Sequence, residues 1–207
     1  MRRIDYMRLG IDIDSTIRQF AEDCIYKYNL QHQLNNSNEP IMTLEDWCDY
    51  DYFYRVMGGR KQAHQWWIDN DVFLNAPVMK MARESLLELH TMGHEIIIIS
   101  KQTRDNHPEA ARQTTQWLYN NEIYYDELHY CTNKNVVDID VIIDDNPRII
   151  DSFLQFHKGN NKKLAVLLVY PWSNQMKWDG CYPLLRHVHK PYWEDIMNII
   201  KDYGRNK

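Results

Sequence analysis

The sequence lacks the features that would mark a chain for export, for a membrane or for a polynucleotide. Its four cysteines, Cys24, Cys48, Cys131 and Cys181, are scattered with no CxxC spacing. That excludes a disulfide framework and reads as a reducing, cytoplasmic chain with free thiols. The opening MRRIDYMRLGIDID has no apolar leader, so no export signal is expected. No apolar run approaches the length of a membrane helix; the longest, around Ile96 to Ile99, has the size of a strand. Lys and Arg form no run and the formal net charge is -5, which leaves no electrostatic footprint for duplex nucleic acid or for an anionic membrane. The nine histidines offer no HExxH and one HxH, His187-Val188-His189, expected at ordinary surface or turn positions. There is no internal repeat and no low-complexity tract. A small-molecule partner fits this profile best, and a homodimer is compatible with it.

What is present is a folded α/β pattern. At 207 residues the chain can bury one core and a modest insertion. Short apolar runs at Met7 to Ile13, Glu95 to Ser100, Ile139 to Ile143 and Leu164 to Tyr170 suit four buried parallel strands. Between them lie helical patterns: Pro77 to Met92, ending at Gly93, then Pro108 to Asn120 and Pro191 to Asp202, each with proline at the entry. Alternating strands and helices predict a doubly wound parallel sheet with its ligand site outside the carboxyl ends of the strands. After the first strand, Ile17, Phe20, Ala21, Cys24, Ile25 and Tyr28 form one amphipathic stripe, and Thr43-Leu44-Glu45-Asp46 resembles a capping box opening a second helix. The stretch from Trp47 to Phe73 is crowded with aromatics and is too long for a simple crossover. It reads as a small helical cap, residues 18–73, over a core of residues 1–17 and 74–207.

The chemistry gathers at the strand exits. Side chains alternate along a strand, so Asp12 and Asp14 leave the first strand on the same side. A second acidic pair, Asp144 and Asp145, follows Val141-Ile142-Ile143, and parallel strands bring both pairs to one edge of the sheet. Carboxylates this close cannot all stay ionised unless a positive charge neutralises them, and ligation by oxygen without sulfur points to Mg²⁺. Ser100 at the end of the Ile96-Ile99 run and Lys134 supply a hydroxyl and an ammonium suited to phosphate oxygens. Lys101 either adds positive charge beside them or lies on the solvated surface.

Asp12-Ile13-Asp14-Ser15-Thr16, Ser100, Lys134 and Asp144-Asp145, in that order, resemble the haloacid dehalogenase superfamily, whose phosphatases carry DxDxT, then Ser or Thr, Lys and an acidic pair. The resemblance implies a magnesium-dependent phosphatase. Asp12 would be the nucleophile and Asp14 the acid and base, with Mg²⁺ held by Asp12, the Asp14 backbone and the Asp144-Asp145 pair. The superfamily usually has glycine where this chain has Ser15. Phe20, the aromatic segment ending Trp66-Trp67-Ile68-Asp69-Asn70-Asp71-Val72-Phe73, and Tyr170-Pro171-Trp172-Ser173-Asn174-Gln175 are similar to the 5'(3')-deoxyribonucleotidase group. That likeness implies a nucleotide substrate. Phe20, Trp47 and Trp67 are the candidates for a base-binding pocket, though each would also serve as packing. Alternative readings are a phosphatase for another small phosphate ester, a 3'-phosphatase for polynucleotides, and a non-catalytic relative.

Overall fold

The computed structural model describes residues 6–34, 41–101, 108–160, 162–173, 185–189 and 192–206. Six strands, β1 (Arg8–Ile11), β2 (Glu95–Ser100), β3 (Glu127–Tyr130), β4 (Val141–Asp144), β5 (Leu164–Val169) and β6 (Leu185–His189), form one sheet in the order β3-β2-β1-β4-β5-β6. All neighbouring pairs are parallel. The doubly wound α/β class expected from the sequence is therefore the observed one, with two strands more than the four expected. The additional strands, β3 and β6, are the two edges. Their sequences, ELHY and LRHVH, mix polar and apolar residues because an edge strand need not be apolar on both faces. His187 and His189 are thus exposed strand residues of β6, and no turn forms there.

The central strands bury both faces. Leu9, Ile11, Ile96, Ile98, Val141, Ile143, Val166 and Leu168 pack on one side. There they meet α5 (Ala82–Thr91), α6 (Pro108–Asn120) and α8 (Trp193–Asn206), which contribute Leu86, Leu89, Trp117, Leu118, Trp193 and Ile196. Ile97, Ile99, Ile142, Ala165 and Leu167 pack on the other against Ile150, Phe153 and Leu154 of α7 (Pro147–Phe156). Gly10 belongs to this second face. A Cβ there would lie 2.4 Å from Ile139 Cδ1 and 3.0 Å from Ile99 Cδ1, so the missing side chain is what lets Ile139 close over β1.

Three helix expectations need correction. The helix expected from Pro77 begins only at Ala82. Pro77 and Met79 are used instead to pair with the chain leaving β1: Gln19 N–H donates to Pro77 O at 2.8 Å and Met79 N–H to Ile17 O at 2.8 Å. The same pairing holds Ile17 outside α1 (Phe20–Leu34), whose buried stripe is Phe20, Ala21 and Cys24. Thr43 to Asp46 opens no helix; the Asp46 carboxylate accepts from the Thr43 amide at 2.7 Å and hydroxyl at 2.8 Å and closes a turn. The segment continues through α2 (Tyr52–Val56), α3 (Arg60–Asp69) and α4 (Val72–Asn75). Pro191, Asn174 and Gln175 lie outside the described residues. Among those described, Cys24, Cys48 and Cys131 form no disulfide, and no helix is long and apolar enough to cross a membrane.

Candidate active site

The strand order reverses direction between β1 and β4, and a crevice opens at such a switch point. Asp12 and Asp14 leave β1 there, while Asp144 ends β4 and Asp145 follows it. The registers Ile11↔Ile143 and Ile11↔Ile98, with the Asp12 N–H to Ile143 O bond of 3.0 Å, set the three exits side by side. One carboxylate oxygen from each of Asp12, Asp144 and Asp145 falls within 4.8 Å of the others. Lys134 stands in a 3-10 turn, Lys134–Val136, that Asn135 fastens to α7 through a 2.9 Å bond to Ser152 Oγ. Its Nζ donates to Asp12 Oδ1 and, at 2.7 Å, to Asp144 Oδ2.

Local sequence explains why the acidic pair is rigid. Asn146 caps α7 by accepting from the Arg148 amide at 3.0 Å, and Pro147 occupies its first turn. The Asn146 amide in turn donates to Asp144 Oδ1 at 2.8 Å. Asp145 is held from the opposite side by Trp172, whose Nε1 donates to its Oδ2 at 3.1 Å.

Electrostatics follow from two buried carboxylates, a partly buried one and one buried ammonium. Burial pushes the Asp12 carboxyl up to about 7 against the pull of Lys134, with Asp144 and Asp14 adding to the rise. Burial, then Asp144 and Asp12, drives Asp145 well above the usual carboxylate range. Burial alone would lower Lys134, but Asp12 and Asp144 outweigh it and hold the ammonium charged. With all three carboxylates ionised, the group is two positive charges short of neutrality.

Asp14 lies within a tight turn in which the Ile13 carbonyl accepts from the amides of Thr16, Ile17 and Arg18. Ser15, where the superfamily resemblance expects glycine, has a left-handed φ of 56°. Arg18, which the sequence reading passed over, is fully buried and its guanidinium grips Asp14 Oδ1 through Nε at 2.8 Å and through Nη2. Linear spacing gives no signal for it, since an arginine four residues after a carboxylate equally suits a solvated surface.

A cavity of about 270 Å³ runs from Asp12, Asp14 and Asp145 to the aromatic segment. Ser100, buried at the end of β2, and Lys101, exposed, both line it, as do Phe20, Trp47 and Trp67. These three rings also pack. Trp67 meets Phe20 edge-on at 5.1 Å and stacks on Phe53 at 5.6 Å; Trp47 stacks on Phe53 at 5.2 Å and leans on Trp172 at 5.7 Å. Tyr54, Arg60, His64, Asn146, Arg148 and Trp172 complete the wall, and the sequence reading assigned none of them to a site.

Comparison with known proteins agrees with this architecture. A haloacid dehalogenase-like hydrolase of Streptococcus pneumoniae superposes with a TM-score of 0.54 at 10% identity, covering 93% of this chain and 97% of that one. The 5'(3')-deoxyribonucleotidase of Clostridium acetobutylicum is 27% identical over 156 residues, 73% of this chain and 78% of the relative. The protein of the same name in Bacillus subtilis is 24% identical over 148 residues, 70% and 79% of the two chains. The profile of the family described as "5' nucleotidase, deoxy (Pyrimidine), cytosolic type C protein" matches residues 6–182. The chain belongs to that 5'-nucleotidase family and is a phosphoric monoester hydrolase on the haloacid dehalogenase-like fold.

Proposed function

We propose that this protein removes phosphate from (deoxy)nucleoside monophosphates with Mg²⁺ and by way of an aspartyl-phosphate on Asp12. The observation that carries the reading is the convergence of Asp12, Asp144 and Asp145 within 4.8 Å at the floor of an aromatic-walled cavity. The residues present suit the ion. Three carboxylates, two of them buried, faced by one ammonium leave excess negative charge when ionised, and an all-oxygen donor set favours a hard divalent cation. Asp12, Asp144 and Asp145 would hold it with the Asp14 backbone carbonyl. The ion supplies charge neutralisation, so that a carboxylate and an anionic phosphate can approach each other.

The chain's own groups then divide the work. Asp12 attacks phosphorus in line, forming a P–O bond to its carboxylate as the ester P–O bond breaks. Asp14 gives its proton to the leaving alkoxide, then takes one from the water that hydrolyses the aspartyl-phosphate. Lys134, Ser100 and, from the rim, Lys101 hold the peripheral phosphate oxygens. Residues 18–73 act as a cap whose rings Phe20, Trp47 and Trp67 face the base. Stacking of this kind is worth roughly 1 to 3 kcal/mol per base in single-strand binders.

A phosphate-release panel of nucleoside monophosphates, sugar phosphates and 3'-phosphorylated oligonucleotides tests the reading. Deoxynucleoside monophosphates should be turned over with Mg²⁺ present, and EDTA or Asp12→Asn should abolish release. Turnover of a sugar phosphate in place of nucleotides would replace the substrate assignment, and activity retained by Asp12→Asn would remove the mechanism.

A further inference from the structure

Arg18 is the one large charged side chain among the largest fully buried ones, and a guanidinium inside a core is costly unless each of its N–H groups has a partner. Its partners join three parts of the molecule. Nε and Nη2 converge on Asp14 Oδ1, on the turn after β1. Nη1 donates to Phe73 O at 2.5 Å, where the inserted segment returns to the core, and to Thr114 Oγ1 at 3.2 Å on α6. The rings of Trp117, Phe73 and Phe20 surround the guanidinium carbon at 5.1, 5.4 and 5.8 Å, so the charge has no other place to go. Nearby, an Asp14–Arg18 bridge closes the turn and an Arg18–Val78 bridge joins the outgoing chain to the returning one.

Resting on the phosphatase reading above, we propose that Arg18 is the positioning residue for Asp14: it fixes the rotamer of the general acid and ties it to the chain crossing beneath the cap. Both guanidinium contacts fall on Oδ1. Two charge-assisted bonds on one oxygen fix the carboxyl plane and its rotamer. In the first step the Asp14 proton passes to the ester oxygen as its bond to phosphorus breaks. In the second, the Asp14 carboxylate receives a proton from the attacking water. A lysine cannot reproduce the function, because a single ammonium cannot reach Asp14, Phe73 O and Thr114 in one planar fork.

This role differs from simple structural support in how it depends on the leaving group. An alkoxide leaves only if protonated, whereas 4-nitrophenolate leaves without help. The test compares kcat/KM, which reports the steps through aspartyl-phosphate formation and not the hydrolysis common to all esters, for the alkyl monoester the wild type turns over fastest and for 4-nitrophenyl phosphate. The comparison uses Mg²⁺-loaded wild type, Arg18→Lys, Arg18→Met and, as reference, Asp14→Asn. General acid catalysis contributes about 10²- to 10⁴-fold. Both Arg18 variants should therefore lose roughly 100-fold on the alkyl ester and only a few-fold on the aryl ester, approaching the Asp14→Asn profile. Equal losses on the two esters, or no loss, would overturn the positioning role while leaving the phosphatase reading intact. Should Arg18→Met fail to fold, as judged by circular dichroism, the same split in Arg18→Lys decides. A wild type inert toward both esters overturns the parent reading and this inference with it.

Discussion

Ser15 sits at φ 56°, and a side chain in the left-handed region costs roughly 1 kcal/mol that glycine avoids. The turn itself is held by three amides converging on Ile13 O, and Ser15 sits inside it directly after Asp14. Part of the relief from glycine is offset by the greater freedom it gives the unfolded chain. Ser15→Gly is therefore expected to stabilise the protein by about 0.5 to 1 kcal/mol, measured as a shift of the denaturant midpoint at unchanged slope. No gain would mean that the Ser15 side chain makes a compensating contact. The strain was partly legible in the sequence, because DxDST in place of DxDGT puts serine where a permissive backbone is needed. The arginine three residues on was not. Nothing in linear spacing distinguishes an arginine that turns inward to a carboxylate from one that points to water; that is decided by Phe73, Thr114 and Trp117, which arrive from far along the chain.

At the level of elements, legibility tracked burial. Strands β1, β2, β4 and β5 were readable because both faces are covered and their sequences are near-continuous runs of Ile, Val and Leu. Edges β3 and β6 carry Glu127, His129, Arg186, His187 and His189 and give no such run. Proline entries placed α6 correctly but misled at Pro77, where pairing with residues 17–19 consumes five positions before the helix can start. The most constrained element is β1, because its neighbours on both sides are filled and Gly10 leaves no spare volume. Gly10→Ala forces a methyl to 2.4 Å from Ile139 Cδ1. Overpacking of this kind costs roughly 1 to 3 kcal/mol. The loss should appear in chemical denaturation, and a neutral result would show that Ile139 can rotate away freely.

For the molecule as a whole, the acidic cluster sets function against stability. Asp145 has a folded-state pKa raised above the unfolded value of 3.8 by burial and by Asp144 and Asp12. Such a group binds its proton more tightly when folded, so its ionised form costs stability at pH values above the unfolded pKa. Two thermal measurements near neutral pH follow. Mg²⁺ should raise the melting temperature of the wild type, because a ligand held only by the folded state stabilises it by mass action. Asp145→Asn should melt higher than the metal-free wild type and lose most of the Mg²⁺ increment. An unchanged increment in that variant would remove Asp145 from the ligand set. The clustered carboxylates, Ser100 and Lys134 could be found in the sequence because the parallel sheet delivers strand exits to one edge. The cavity wall of Tyr54, Arg60, His64, Arg148 and Trp172 could not, since it is assembled by packing between the inserted segment and the core.

The pairing of residues 17–19 with 77–79 has one more consequence. The chain departs from the sheet and comes back at nearly the same point, sealed by two backbone bonds of 2.8 Å. Everything between is therefore an excursion whose length the sheet does not sense, and closing a longer loop adds only about 0.6 kcal/mol for each doubling. Such a detour can be lengthened, shortened or exchanged during evolution while the phosphoryl chemistry below keeps its register. Under the cap assignment proposed above, substrate choice and reaction type would be separately heritable.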